Sequence, residues 1–294
     1  MRSGALLRGP LFRGTLHLVS EADWSLFRPP IEPMLAAAAA RVSDRSSVEL
    51  STVIRLGTEL LAERALTAAQ LRALLAAAFP GADARALAYW VRMHVPVTMV
   101  ATDDRWCFAR DAALALTVPA GPGGERAELV RRYLAAFGPA SVADAQEWSG
   151  LRGLAATFEA IGEQLVRFRD ERGRELFDLP GAPRPAADAP APPRFLPDFD
   201  SVVLAHADRT RLIAAEHRPR LTTKNLRVNA TVLLDGEVCA TWSLARRGVR
   251  ATLTVAPFVP LSNAAQDELR AEGEVLAGVC EPDARSVEVV FESS

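Results

Sequence analysis

Between Leu50 and Arg64 the apolar positions Val53, Ile54, Leu56, Leu60 and Leu61 fall at helical spacing, which predicts a helix with one apolar face. Thr67 stands as an N-cap before AAQLRALLAAAF, and Pro80-Gly81 ends that second helix. Asp83 caps a third over residues 84–94, with Leu87, Trp90 and Val91 on one side, and Pro96 stops it. The pattern then turns extended: residues 97–101 and 105–108 read as strands around a Thr102-Asp103-Asp104 turn. Three short helices followed by a hairpin is the order of a winged helix. The order returns further on. Leu129, Val130, Tyr133, Leu134 and Phe137 stripe a helix over 125–137, Ser141 caps a short one, residues 151–164 form a third, and 165–168 pair with 175–179 across a turn at 170–173. Two tandem winged helices, residues 48–123 and 124–180, are expected.

The flanks differ. In the first twenty residues Gly9-Pro10 and Gly14 punctuate the chain, and Thr15 to Val19 alternates like a half-buried strand. Ser20, with Asp23 three residues on, predicts a helix start near Glu21; Pro29-Pro30 and Pro33 interrupt it before it resumes from Met34 to Val42. Residues 1–47 therefore read as the remnant of a first winged helix, its wing strand, plus a connecting helix. RGTLHLV as an orphan strand would leave an unpaired edge and an exposed apolar face. Residues 181–193 form a linker within a stretch holding six prolines from Pro180 to Pro193. Residues 194–294 read as a β-rich domain with one helix. Its strands are expected at 201–206, 211–213, 228–234, 237–245, 249–256 and 287–291, with turns at Asp235-Gly236 and Arg247-Gly248, and Ser262 caps the helix. The fold class is α+β: tandem winged helix-turn-helix modules followed by a β-barrel-like domain.

At 294 residues the chain fits two or three domains, and 49% apolar with 24% charged residues is ordinary for a soluble protein. Cys107, Cys239 and Cys280 lie far apart, so neither a zinc site nor a disulfide framework is indicated, and a reducing cytoplasm is expected. No apolar run reaches membrane-spanning length. Charge adds one feature. Between Ser201 and Arg250 nine Arg or Lys face four Asp or Glu, an excess of five in a chain whose net charge is −2. Such a local excess points to a polyanionic partner, or more simply to arginine on a solvated face.

Phosphate loops, dinucleotide fingerprints, HExxH and GxSxG are absent, so no cofactor or metal is expected. The histidines carry two readings each. His17 beside Arg13 is either a phosphate or base contact or a strand histidine hydrogen-bonded to backbone. His94 can serve as a cation at a helix C-terminus. His206 and His217 sit among arginines, in HADRTR and HRPR, where nucleic-acid contact competes with plain exposure. The presumed third helices read bases poorly: one offers Arg85 and Arg92, the other Arg152 with Glu159 and Glu163.

The strings RGPLFRGTLHLVS (8–20), FGPASVADAQEWSGL (137–151) and RFLPDFDSVVLAHADRTRLI (194–213), followed by the Asp-Gly hairpin and GEVCATW, carry a resemblance over nearly the whole chain. It is to the bacterial winged helix DNA-binding domain-containing proteins, a group that includes the AlkZ/YcaQ-type DNA glycosylases. The resemblance implies three tandem winged helices and a C-terminal β-barrel around a concave basic DNA surface, acting on alkylated or crosslinked DNA. It also implies a catalytic glutamine, apolar residue, then glutamine or acid, within a first winged helix ahead of RGTLHLV. Here the glutamines at 70, 146, 164 and 266 do not supply that motif in the expected place, so no catalytic residue is carried over. Either the reading frame extends upstream, or the chain is a truncated paralogue that binds without cutting.

The expected function is DNA binding in this glycosylase-like superfamily, with double-stranded DNA as partner, no membrane, and a cytoplasmic, nucleoid-associated location. The candidate contacts are Arg13, His17, His206, Arg209, Arg211, Arg218, Arg220, Lys224 and Asn225. The competing expectation is a non-catalytic structural, interaction or regulatory winged-helix protein, favoured by a pI near 6.2.

Overall fold

The structure, a computed structural model, describes residues 5–42, 48–102, 107–109, 111–121, 123–223 and 227–293. It divides into two compact units, Met1–Ala182 and Pro183–Ser294.

Unit 1 opens on a hairpin. Strand β1 (Leu6–Pro10) pairs antiparallel with β2 (Leu16–Ser20), so RGTLHLV is not an orphan. The apolar face expected to be exposed does remain: Leu6, Leu16 and Leu18 are 39%, 40% and 49% accessible. The other face is close-packed. A Cβ on Gly9 would lie 2.6 Å from the Trp24 ring and 2.7 Å from the Val97 carbonyl oxygen, so only glycine fits there. Helix α1 (Glu21–Phe27) starts where the Ser20 hydroxyl accepts the Asp23 N–H at 3.0 Å. Helix α2 (Glu32–Ala40) follows the proline interruption.

Helices α3 (Leu50–Glu63), α4 (Ala68–Ala78) and α5 (Ala84–His94) match the apolar stripes, and Val53, Leu61, Leu75, Leu87 and Val91 form one core. Thr67 and Gln70 make a reciprocal capping box, and Asp83 accepts from Arg85 and Ala86 N–H. Strand β3 (Val97–Met99) departs from expectation in its partner. It pairs with β4 (Leu114–Leu116) rather than with residues 105–108. Of that predicted strand and its turn, residues 103–106 lie outside the described residues, while Cys107, at φ 63, and Phe108 are irregular. The choice is tertiary. Leu114 exchanges both backbone hydrogen bonds with Leu66 (2.9 and 2.8 Å), and both side chains are buried in the core.

The second half of unit 1 repeats this arrangement with α6 (Arg126–Phe137), α7 (Val142–Ser149), a short α8 (Ala155–Ala160), β5 (Val166–Arg169) and β6 (Glu175–Asp178). Ala140 bridges Phe177 as Leu66 bridges Leu114, and in each case the next residue, Ser141 or Thr67, opens a capping box. An aromatic cluster ties this half to the first hairpin: Trp148 lies 4.0 Å from Phe12 and 5.0 Å from Tyr133, ring centre to ring centre. Burial foremost, and then Asp144, raises the Tyr133 phenol above its ordinary pKa.

Unit 2 is built on one five-stranded sheet, ordered β11 (Ser286–Phe291), β10 (Arg250–Pro257), β9 (Glu237–Arg247), β8 (Thr231–Leu234), β7 (Arg194–Leu196). It is open, which corrects the barrel expectation. Neighbours are antiparallel except β10 and β11, which run parallel through the crossover helix α10 (Asn263–Cys280). The helix covers one face, packing Leu269 and Ala277 on Val232, Leu253, Val255 and Val289. On the other face Val203, Ile213 and Leu221 pack with Val238 and Phe258 in a second small core. With α10 on one face and this core on part of the other, hydrophobic burial does not require the edges to meet.

Two predicted strands are absent for local reasons. Residues 201–206 contain helix α9 (Ser201–Leu204), since Asp200 accepts the Val202 N–H and caps it, and residues 211–213 lie in a turn held by Arg209. Strand β7 follows the prolines and was not expected. The Asp235-Gly236 hairpin is as predicted: φ of 51° and 80° are the two positive values of a type I′ turn. The next turn is one residue later than expected, at Gly248-Val249, because Arg247 pairs with Arg250.

Candidate nucleic-acid interface

The residues singled out for contact fall in both units. In unit 1, Arg13 occupies the loop between β1 and β2 with φ of 56°, and its Nη1 donates to the Trp148 carbonyl. His17 is half-buried. Its Nδ1 lies 3.0 Å from the Thr15 carbonyl oxygen, and its ring meets Phe12 edge-on at 5.3 Å. His17 is thus bonded to backbone within its own hairpin. Burial foremost lowers its pKa; the Thr15 carbonyl opposes this, and the Arg13 cation adds to it.

His94 does not act as the cap of its own helix. The guanidinium of Arg28, with no accessible surface, donates from Nη2 to the Met93 and His94 carbonyls at 3.0 and 3.2 Å, closing the end of α5. Burial and then the Arg28 cation lower the His94 pKa, against Glu32, and its Nε2 is buried without a hydrogen-bond partner among the described residues. Both histidines therefore favour the neutral form in the fold. A pKa depressed below the unfolded value of about 6.5 means that unfolding takes up protons as pH falls from there, so stability declines on acidification through that window. Proton uptake on unfolding near pH 6, measured by calorimetry in buffers of differing ionisation heat, is expected to fall in His17→Gln/His94→Gln. Unchanged uptake would contradict the assignment.

In unit 2, His206, Asp208, Arg209 and Arg211 line a small cavity of about 220 Å³ with Val202 and Leu212. Arg209 is half-buried and donates from Nε to the His206 carbonyl at 3.1 Å, while Arg211 is exposed. Arg218 and Arg220 lie in a 3-10 turn, Arg218–Leu221. Arg220 stacks 4.5 Å above the Phe258 ring, and His217 approaches the same ring at 5.1 Å. Lys224 and Asn225 lie outside the described residues. On either side of them Thr222 bridges Val228, and the Thr223 N–H donates to the Arg227 carbonyl at 2.8 Å.

A second basic group stands at the opposite end of the sheet. Arg246, Arg247 and Arg250 flank the β9–β10 turn, where Val249 is exposed and Arg285 joins through its N–H to the Val249 carbonyl at 2.7 Å. Arg246 pairs with Glu281 at 3.4 Å and Arg250 meets Glu288 at 4.0 Å. Pro257 pairs with Ala240 beside Arg220, and Arg250 with Arg247, so seven strand residues, roughly 23 Å at about 3.3 Å each, separate the two groups. The arginine count of residues 201–250 contained both groups but not their separation.

Each glutamine is engaged in a local bond. Gln70 belongs to the α4 capping box, Gln146 accepts the Leu154 N–H at 3.1 Å, Gln164 accepts from Arg131 at 2.7 Å, and Gln266 donates to the Leu261 carbonyl at 3.2 Å. Among the described residues no group of three or more His, Cys, Asp or Glu could hold a metal ion, and no helix is long and apolar enough to cross a membrane.

The described chain is α+β, in two units, with exposed arginines on the turns of the second. The chain belongs to the AlkZ-like DNA glycosylase family: the family model described as DNA glycosylase AlkZ-like matches residues 1–279. A curated relative, the interstrand DNA cross-link repair glycosylase of Streptomyces sahachiroi, is 30% identical over 138 residues, which cover 44% of this chain and 36% of that protein. The matched stretch thus spans little more than a third of the relative's length. The solved structure of Streptomyces sahachiroi DNA glycosylase AlkZ superimposes with a TM-score of 0.71 at 19% identity, over 98% of this chain and 82% of that one, a likeness of fold.

Proposed function

We propose that this chain binds double-stranded DNA as a repair-linked member of its family, on alkylated or crosslinked duplexes, through exposed arginines of unit 2. The observation that carries this reading is the pair of basic groups, Arg211, Arg218 and Arg220 at one end of the sheet and Arg247 and Arg250 at the other, in a chain of net charge −2. Their roughly 23 Å separation along the strands spans about seven base pairs at 3.4 Å per step. Both ends can therefore meet one duplex. In this reading residues 48–123 and 124–180 are winged helices, supported by the repeated helix, bridge, helix, helix, hairpin order and the paired capping boxes. Their third helices, α5 and α8, serve as scaffold rather than base readers. The chain's own contribution is to hold the duplex, and no base-excising residue is assigned to it.

The test is fluorescence anisotropy against a labelled duplex, plain or carrying an alkylated base, across a salt series. Neutralising one phosphate contact removes about 0.9 from the slope of log K against log salt. Arg211→Gln/Arg218→Gln and Arg247→Gln/Arg250→Gln are each expected to lower that slope by about one to two and weaken binding to all sequences alike. Wild-type slope and affinity in both variants would refute the interface. A protein-interaction role is favoured by one specific observation, the exposed Leu6, Leu16 and Leu18 face, and gains if the wild-type chain fails to bind either duplex at low salt.

A further inference from the structure

We infer that unit 1 carries a phosphate site of its own, in a cleft of about 500 Å³ rimmed by Arg13, Arg41, Arg126 and Arg152. Helix α2 and the residue after it supply one wall at helical spacing, Met34, Ala37, Ala38 and Arg41. The end of α7 supplies the other wall with Gln146, Glu147 and Gly150. Helix α6 begins in the rim at Arg126, and no side chain caps it.

The charge balance of the cleft itself favours an anion. Four arginines face one carboxylate, Glu147, a local excess of three. Arg55, Arg131, Arg132, Arg167 and Arg174 of the same unit each have a carboxylate partner. Arg41, Arg126 and Arg152 are exposed and make no ion pair among the described residues. Three unneutralised cations therefore converge on one concavity although they are up to 111 residues apart in sequence, from 41 to 152. One carboxylate would leave two of those charges unmatched. A nucleic-acid strand presents a charge about every 3.4 Å of axis, so two or three successive phosphates would balance the cleft, and guanidiniums pair with phosphate in two-pronged fashion. Gln146 gives its carbonyl oxygen to the Leu154 N–H, which leaves its amide nitrogen as a further donor at the wall.

The identity of the strand as duplex DNA rests on the function proposed above; the affinity for phosphate does not. Two measurements separate them, on the full chain, comparing wild type with Arg41→Gln/Arg126→Gln/Arg152→Gln. In phosphate-free buffer the triple variant should melt with the wild type, because all three side chains are exposed. Millimolar pyrophosphate is expected to raise the melting temperature of the wild type and leave the variant unmoved. In duplex anisotropy the variant should lose about two from the salt slope and roughly tenfold or more in affinity at low salt. Equal response to pyrophosphate in both proteins, or none in either, together with unchanged duplex binding, overturns the site. If Arg247→Gln/Arg250→Gln weakens duplex binding while the triple variant does not, the DNA function stands and the cleft falls. If the wild type binds no duplex but pyrophosphate stabilises it and not the variant, the DNA function falls and the phosphate site stands.

Discussion

Trp148→Ala is expected to destabilise unit 1 by about 3–5 kcal/mol, the usual cost of emptying an aromatic side chain from a core. The ring is 6% accessible and touches four others: Phe12 and Tyr133 at 4.0 and 5.0 Å, Phe137 and Phe27 at 6.2 and 6.4 Å. Two come from the first hairpin and α1, two from α6, so the cavity would open along the seam between them, where neither side can collapse alone. For a unit of this size the melting temperature should drop by roughly 10 °C or more. Trp148→Phe should recover most of the loss. A change under about 1 kcal/mol in Trp148→Ala, measured by urea unfolding, would mean that the aromatic seam does not hold the halves together.

Arg28→Ala should be comparably severe, at about 3–5 kcal/mol, but for a different reason. Its ion pair with Glu32 is 3.3 Å long, yet Glu32 is 60% exposed, so water screens it and it contributes little. The carbonyls of Met93 and His94 matter more. Among the described residues Arg28 is the side chain that donates to both, closing the end of α5, and burial, opposed only by Glu32, already pulls the guanidinium pKa down. Removing the donor strands both carbonyls beside a void. Two companion variants separate the contributions. Arg28→Met keeps the volume and should cost less than alanine; Glu32→Ala should cost under about 1 kcal/mol. A Glu32→Ala loss as large as that of Arg28→Ala would show that the ion pair, not the cap, dominates.

Local chemistry was legible in the sequence. Ser20, Thr67, Asp83, Ser141 and Ser262 were each expected to start a helix, and each accepts a backbone N–H from its second or third residue. Asp235-Gly236 likewise demanded its turn. What escaped was decided partly at long range and partly by caps and turns that the apolar pattern does not show. Strand β3 takes β4 as partner because Leu114 is also bonded to Leu66, a preference that residues 97–108 do not contain. Val202-Val203 suits a strand or a helix, and the Asp200 cap tips it to α9. Whether a sheet closes depends on what covers it, and α10 and the small core around Ile213 do so here. For the candidate site, a local count of charge finds residues 201–250. It passes over Arg41, Arg126 and Arg152, which are isolated in sequence and meet only after α2, α6 and α7 pack.

The tie at Arg13 bears on the heat of binding. Its side chain is anchored on the carbonyl that ends α7, and a Cβ at Gly150 would sit 3.5 Å from its Cα. This wall of the cleft is in place before any anion arrives. Fixing a loose arginine would cost about 0.5–1.5 kcal/mol in lost rotamer freedom, and that cost is absent for Arg13. Filling the cleft also buries little apolar surface and folds no segment, so it should carry only a small heat-capacity change, its free energy coming from counterions released into solution.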